Sequence, residues 1–138
     1  MTGGPISRAR IVAPLSQAST AQIPVTGLQP NKARDGTAAQ SDFALTQAMA
    51  LEGVPSSWQS RLRFIMAQES GGQVDAKSPI HSARGLYQLT AANYHFNPHG
   101  AASFGNAVEE AQGGIRYIKQ RYGTADRAAT FWQSHHWY

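Results

Sequence analysis

The sequence predicts a mainly α-helical domain over residues 41–138, preceded by an extended or disordered N-terminal arm over residues 1–40. Prolines recur through the arm, and each one removes a backbone donor and disfavours helix in the residue before it. After residue 40, apolar side chains recur at helical spacing, and glycines stand where each helical pattern stops. A chain of 138 residues that is 41% hydrophobic is long enough to bury one compact core.

The first two helices are predicted from their start and stop signals. The first spans residues 41–53, with Ser41 or Asp42 as its cap and a glycine at its end. The second spans residues 55–70, because a proline and two serines open the apolar pattern and two glycines close it.

The second half of the domain predicts loops followed by two more helices. Residues 73–100 are rich in Pro, Ser, Asn, His and Gly, which indicates a loop with a turn or short strand and one helical turn. The amphipathic pattern of residues 103–123 predicts a third helix, and the last helix is expected to begin at Asp126. Gly113 and Gly114 interrupt the third helix at about 1 kcal/mol each relative to alanine, which predicts close packing there.

Composition and charge narrow the function classes. The net charge of +4 favours an anionic partner, but the basic residues are scattered singly, which argues against a nucleic-acid-binding stripe. Cysteines are absent, so disulfides and thiolate metal sites are excluded, and five scattered histidines without a carboxylate at ligand spacing argue against zinc. We expect no cofactor, no metal and no membrane span, and the N-terminal residues do not predict a conventional secretory signal.

One carboxylate stands out in the stretch FIMAQESGGQ, residues 64–73. Helical steps from Leu62 through Ile65 and Met66 place Glu69 on the stripe that faces the core. An apolar pocket disfavours the ionised carboxylate and can raise the pKa of a glutamic acid to about 6. The pattern therefore predicts a carboxyl group that stays protonated near neutral pH and can donate a proton. The alternative is an ordinary carboxylate at a helix end, where negative charge is unfavourable.

Five signals then follow one another along the chain. They are ES at 69–70, GLYQL at 85–89, NY at 93–94, AQGGIRYI at 111–118 and AATFWQSHHWY at 128–138. In this order they resemble the transglycosylase SLT family, the lysozyme-like lytic transglycosylases that cut peptidoglycan. The C-terminal stretch looks closest to phage members of the family. The resemblance covers roughly residues 62–138 and leaves the arm unexplained.

The resemblance implies a lysozyme-like helical fold, a peptidoglycan substrate and Glu69 as the catalytic acid and base. It places Ser70 beside the catalytic residue, Gln88 along the sugar groove and Tyr117 on the helix that follows the glycine pair. Where the family often has Ala-Tyr-Asn, this chain has Thr130-Phe131-Trp132, which leaves open which ring faces the site. Sugar rings stack on flat apolar faces and their acetamido groups bind amides, so we predict a substrate-binding set comprising Ser70, Tyr87, Gln88, Asn93, Tyr94, Tyr117 and Trp132. For Tyr117 and Trp132, a site role and a core role both stay open.

A second catalytic carboxylate, which most glycosidases place about 5–9 Å from the first, is not marked by any motif. Asp75 is predicted to lie in a loop that can fold back, whereas Glu109 and Glu110 are predicted to face solvent, and Asp126 is a fourth candidate. The family scheme needs one glutamate only, because the C6 hydroxyl of the substrate closes a 1,6-anhydro ring. This favours a lytic transglycosylase over a lysozyme-type hydrolase.

A rival reading is a structural or peptidoglycan-binding protein without turnover, tied into an assembly by apolar residues of the arm. Because no export signal is predicted, the leading expectation for localisation is a phage particle that carries the enzyme to the periplasm and cell wall. In that case residues 1–40 contact a virion tail or ejected-protein assembly. Release through a specialised secretion system is the alternative.

Overall fold

The computed structural model describes residues 32–138, with side chains from residue 39 onward. Its helices are α1 (Lys32–Glu52), α2 (Gln59–Ser70), α3 (Ala107–Arg121) and α4 (Ala125–His135), with 3-10 turns at Ser56–Trp58, Ala91–Phe96 and Gly100–Ser103. Among these residues, β structure is limited to two antiparallel bridges, from Lys77 to Arg84 and from Arg84 to Leu89. The predicted mainly helical class is therefore confirmed. Residues 32–40, predicted to belong to the extended or disordered arm, are helical instead, and residues 1–31 lie outside the described residues. No helix in the described part of the chain is long and apolar enough to cross a bilayer.

The described residues fall into two compact units. One unit is Asp35–Asp126, which contains most of α1, all of α2 and α3, and the loops between them. The other contains the first turn of α1 and Arg127–Tyr138, which form most of α4. Helix α4 begins at Ala125, one residue before the predicted start. His135 is the last residue of α4 and His136 follows it, and they stack on different rings, those of Phe131 and Trp132, respectively.

Helix α1 differs from its prediction at one end and agrees at the other. It begins at Lys32, so Ser41 and Asp42 lie inside the helix and the prediction that one of them caps it is wrong. The Ser41 side chain is instead fully buried and donates a hydrogen bond to the carbonyl of Gly72, just beyond α2. The helix ends at Glu52, and Gly53 follows with a φ of 68°, as the glycine signal predicts.

Helices α1 and α2 support each other through apolar and polar contacts. Leu45 of α1 and Leu62 and Ile65 of α2 are completely buried. At the rim, Arg63 donates to Asp42 over 3.0 Å, and this surface ion pair adds little stability by itself. The apolar burial holds α2 in place, and the last turn of α2 carries Glu69, the residue that the sequence predicts to be catalytic.

The glycine pair of α3 permits the close packing that the sequence predicts. A Cβ atom on Gly114 would lie 2.3 Å from Cγ of Tyr87, and one on Gly113 would lie 1.7 Å from Oδ1 of Asn97. The ring of Tyr87 is 1% exposed, and its hydroxyl donates to the carbonyl of Leu62 over 2.8 Å. Because α3 has no side chain at Gly114, the ring of Tyr87 lies against α3 while its hydroxyl bonds to α2, and this residue connects the two helices.

The loops before α3 are held by one buried carboxylate, that of Glu110. Glu110 is predicted to face solvent, but it is 2% exposed and accepts hydrogen bonds from three backbone N–H groups. Asp75 N lies 3.0 Å from its Oε2, Leu86 N lies 2.8 Å from its Oε1, and Gly105 N lies 2.7 Å from its Oε2. The prediction is wrong because the three loops fold over that side of α3. Burial raises the pKa of Glu110, while the backbone donors act in the opposite direction.

Glu109 also departs from its predicted place in solvent. Its side chain is 23% exposed, and its Oε1 lies 2.9 Å from Nδ1 of His99 and 2.7 Å from the hydroxyl of Ser103. The hydrogen bond with His99, followed by the one from Ser103, lowers the pKa of Glu109. Both glutamates of the pair therefore fix loops rather than face solvent freely.

Candidate active site

Glu69 lies in the last turn of α2, at the edge of the core. The helix ends at Ser70, and Gly71 follows in the left-handed region with a φ of 64°. Ser70 secures this end, because its hydroxyl donates to the carbonyl of Met66 and accepts from Gly72 N, both over 3.1 Å. Glu69 itself is half-buried. The backbone that carries it is thus fixed, and the residue stays partly exposed to solvent.

Two tyrosines of α3 and its end belong to the candidate site through the charge of Glu69. Burial is the main cause that raises the pKa of Tyr117 and of Tyr122, and the negative charge of Glu69 raises both further. The rings of Tyr117 and Tyr122 lie 6.4 Å apart and nearly perpendicular, and Tyr117 also meets Phe96 edge to face at 5.7 Å. The candidate site therefore comprises Glu69 and this tyrosine pair.

Tyr122 is the site residue that the sequence argument missed. It falls within the amphipathic pattern of residues 103–123, and five residues along an ideal helix separate it from Tyr117 by about 140° of rotation. In the structure Tyr122 is the C-cap, with φ −115° and ψ −18°, so the chain leaves the helical path there. Gly123 directly after it, with a φ of 84°, was the available signal that helical spacing ends at this position.

Gln88 is placed by its backbone and its amide group. Its φ of 51° is unusual for a residue other than glycine. Its Nε2 donates to the carbonyls of Ala76 and Gly85, both over 2.9 Å. These bonds hold the loop of residues 76–88 together, and the predicted contact with a sugar stays a prediction.

Asn93 and Tyr94 lie on the 3-10 turn Ala91–Phe96 and are half-buried. The amide of Asn93 donates to the hydroxyl of Thr90 over 3.3 Å. Tyr94 donates to the carbonyl of Ser82 and packs edge to face on Phe104 at 4.9 Å. Both are ordered by local contacts, and their predicted substrate contacts also stay predictions.

Two further members of the predicted binding set lie elsewhere. Tyr87 is buried in the core, and its hydroxyl donates a hydrogen bond to the carbonyl of Leu62. The structure therefore does not support contact between its side chain and a sugar. Trp132 lies on α4, in the other compact unit, and stacks on His136 with ring centroids 5.1 Å apart. The open question of its role stays open. Of the predicted set, Tyr117 is a residue whose pKa the charge of Glu69 raises, and its contact with a sugar stays a prediction.

The candidates for a second catalytic carboxylate have other partners. Asp75 accepts a hydrogen bond at its Oδ1 from Nε of Arg84 over 2.7 Å. This hydrogen bond is the main cause that lowers the pKa of Asp75. Asp126 pairs with Arg61 at 2.9 Å. Glu109 and Glu110 hold loops as described above. Within residues 39–138, no group of three His, Cys, Asp or Glu residues is arranged to hold a metal ion.

A family model described as the transglycosylase SLT domain matches residues 48–135. The chain belongs to this family. No curated protein and no solved structure gives a significant match. The SLT domain supports a lytic-transglycosylase type of activity on peptidoglycan and a lysozyme-like helical fold, which agrees with the fold observed here. The match begins inside α1, after Ser41, and it includes Glu69, Tyr117 and Tyr122.

Proposed function

We propose that this SLT domain protein is a lytic transglycosylase that cuts the MurNAc-GlcNAc β-1,4 bond of peptidoglycan with Glu69 as its single acid and base. The observation that carries the proposal is the placement of Glu69 on a helix end fixed by Ser70, while the four other candidate carboxylates have other partners. A catalytic acid needs an ordered position and access to substrate, and Glu69 combines the two.

In the first step Glu69 donates its proton to the glycosidic oxygen, and the bond from that oxygen to C1 of MurNAc breaks. The acetamido oxygen of the same sugar attacks C1 and holds the positive charge as an oxazolinium ion. In the second step the Glu69 carboxylate removes the proton of the C6 hydroxyl, O6 attacks C1 and the acetamido oxygen leaves. Glu69 is then protonated again, and the sugar ends as a 1,6-anhydro ring.

Hydrolysis of the usual two-carboxylate kind is the less favoured outcome. It needs a second carboxylate as nucleophile or base within about 5–9 Å of the acid. Asp75, the loop candidate, is held by Arg84 through two hydrogen bonds of 2.7 and 3.4 Å. The assisting group is therefore assigned to the substrate rather than to the protein.

Product analysis tests this assignment. Digestion of isolated peptidoglycan by the full chain is expected to release muropeptides that are lighter by one water than hydrolysis products and that resist borohydride reduction. The measurement is mass spectrometry of the soluble fraction before and after borohydride treatment. Products with reducible ends would show a lysozyme-type hydrolase, and an absence of soluble muropeptides would favour a binding or structural protein.

We propose further that the enzyme is of the phage type and travels in a virion to the bacterial cell wall, with its N-terminal residues contacting the particle. The support is the likeness of the C-terminal stretch WQSHHWY to phage members of the family. Mass spectrometry of purified virions is expected to detect peptides of this chain at a constant ratio to a tail protein through successive density gradients. Loss of those peptides during purification would count against carriage by the particle.

A further inference from the structure

Two cations lie directly opposite each other in the loop region that follows α2. Lys77 and Arg84 form an antiparallel bridge. The bridge lies between two backbone hydrogen bonds, Gly85 N to Ala76 O at 2.8 Å and Ser78 N to Ala83 O at 3.0 Å. A pair flanked in this way exchanges no hydrogen bonds of its own, and its side chains stand on one face at the closest spacing of an antiparallel ladder.

The guanidinium group of Arg84 is fixed along one edge and over one face. Its Nε donates to Oδ1 of Asp75 over 2.7 Å and its Nη2 donates to Oδ2 over 3.4 Å. Its Cζ lies over the ring of Phe104, 4.8 Å from the centre. A guanidinium has five N–H donors, and the two on Nη1 have no acceptor among residues 39–138. Nη1 is not buried, so an oriented pair of donors is open to a ligand.

Lys77 brings a second charge to this face. It is exposed, and its ammonium group has no hydrogen bond or ion pair in the described part of the chain. Gln88 fixes the backbone beneath both cations, because its Nε2 donates to the carbonyls of Ala76 and Gly85, each over 2.9 Å. These two residues adjoin Lys77 and Arg84 in the chain. The spacing between the two cationic residues is therefore held by the fold.

The charges on the exposed side of this bridge do not balance. Like charges directly opposite on a ladder destabilise it, so two cations at this spacing carry a cost. Asp75 supplies one carboxylate, and Arg84 donates to both of its oxygens. The Glu110 carboxylate also acts on Arg84, but it is buried and its oxygens accept backbone N–H groups. An anion from outside the chain would offset the excess positive charge.

We propose that Lys77 and Arg84 form a binding site for a carboxylate of the stem peptides of peptidoglycan. This inference rests on the proposed function, because it assigns a further part of the same substrate. The sugar backbone of stem-bearing peptidoglycan is uncharged, whereas the stem peptides carry carboxylates. A planar guanidinium edge binds a carboxylate through directed hydrogen bonds, and an ammonium group adds attraction without a fixed direction.

The chain length places the two cations within reach of a stem peptide on a sugar at Glu69. Asp75, which holds Arg84, follows Ser70 at the end of α2 after five residues, and such a segment spans at most about 18 Å. A turn shortens it, because Gln73 N donates to the carbonyl of Ser70 over 3.2 Å. An extended stem of about five residues spans about the same distance from the sugar that carries it.

Substrates that differ only in their carboxylates test the site. Soluble glycan strands with stem peptides, free of wall polymers, are compared with the same strands after carbodiimide amidation, which turns each carboxylate into a neutral amide. We expect Lys77→Gln to raise the KM for the untreated strands about three- to fivefold with kcat unchanged, because an exposed ion pair is commonly worth up to that factor. On amidated strands it should have no effect. An unchanged KM for untreated strands, or an equal rise on both, would overturn the proposal.

Two controls locate the anion. Lys119→Gln removes an exposed lysine charge from α3 and should leave the KM unchanged on both substrates. An equal rise in KM in the Lys77 and Lys119 variants would show a general charge effect and reject the site. Strands from which an amidase has removed the stems keep only the carboxylate of the lactyl group. An effect of Lys77→Gln that persists on them would place the anion on the sugar and overturn the assignment to the stem.

A binding measurement separates this inference from the proposed function. Co-sedimentation of the full chain with untreated and amidated peptidoglycan needs no catalysis. The wild type is expected to bind the untreated material about three- to fivefold more tightly, and Lys77→Gln to lose this preference. If the wild type releases no muropeptides, the proposed function fails, and equal binding to both materials rejects the site independently. A preference seen only with phosphate-bearing wall polymers left in place would identify phosphate as the ligand and overturn the assignment.

Discussion

Glu69→Gln is expected to lower the rate of muropeptide release by about a thousandfold or more. General acid–base catalysis by a positioned carboxyl group typically contributes about 10² to 10⁴ in rate, and here one group is assigned both roles. An amide has no proton that it can transfer to a glycosidic oxygen, and it cannot remove the proton of the C6 hydroxyl. Glutamine has the same shape, so the half-buried position at the end of α2 accommodates it.

The measurement is the initial rate of muropeptide release at matched protein concentration, with thermal unfolding recorded for each variant. Glu109→Gln is the matched control, because it makes the same chemical change on α3 and its remaining oxygen can still accept from Ser103. We expect this control to retain the wild-type rate. A Glu69→Gln protein as active as Glu109→Gln would reject Glu69 as the catalytic residue and with it the mechanism.

Helical periodicity predicts where Glu69 lies, because inside a regular helix spacing alone tells which side of the helix a residue occupies. Tyr117 is predicted by the family resemblance and not by helical spacing. Tyr122 lies at the point where α3 ends, and its position depends on the backbone angles of that single residue. Tyr87 was misjudged for a different reason. An aromatic residue in a loop is easily interpreted as a substrate-binding residue. The absence of side chains at Gly113 and Gly114 leaves room for the ring of Tyr87 in the core.

The end of a helix was predictable where a glycine terminates it. The start was not predictable where a side chain can either cap the helix or bond to a distant residue. Gly53, Gly71 and Gly123 each follow a helix in a positive-φ conformation, which few other residues adopt without strain. Ser41 can cap a helix, but its hydroxyl instead donates a hydrogen bond to the carbonyl of Gly72, 31 residues further along the chain. A residue that can cap a helix can also tie two elements together, and the choice depends on tertiary packing that local sequence does not encode.

Glu110 shows the same limit in a charged side chain, and it gives the largest expected effect on stability. A glutamate one residue from an apolar position is ordinarily solvated, but here its two oxygens serve as acceptors for loops that contribute Asp75, Leu86 and Gly105. Those three N–H groups come from segments with little regular structure of their own. Their only common anchor in the described hydrogen bonds is this carboxylate, so its loss affects three loops at once.

Glu110→Ala is expected to lower the free energy of unfolding by about 4 kcal/mol or more, because each buried N–H left without an acceptor costs about 1–3 kcal/mol. Glu110→Gln should cost about half as much, since one oxygen remains but its NH₂ group faces a backbone donor. Urea unfolding followed by circular dichroism measures both. Glu109→Ala, one residue earlier, is the matched control and should cost about 1 kcal/mol, because its partners His99 and Ser103 belong to a single turn. If Glu110→Ala unfolds at the same urea concentration as Glu109→Ala, the three loops are held by other contacts and the carboxylate is not their anchor.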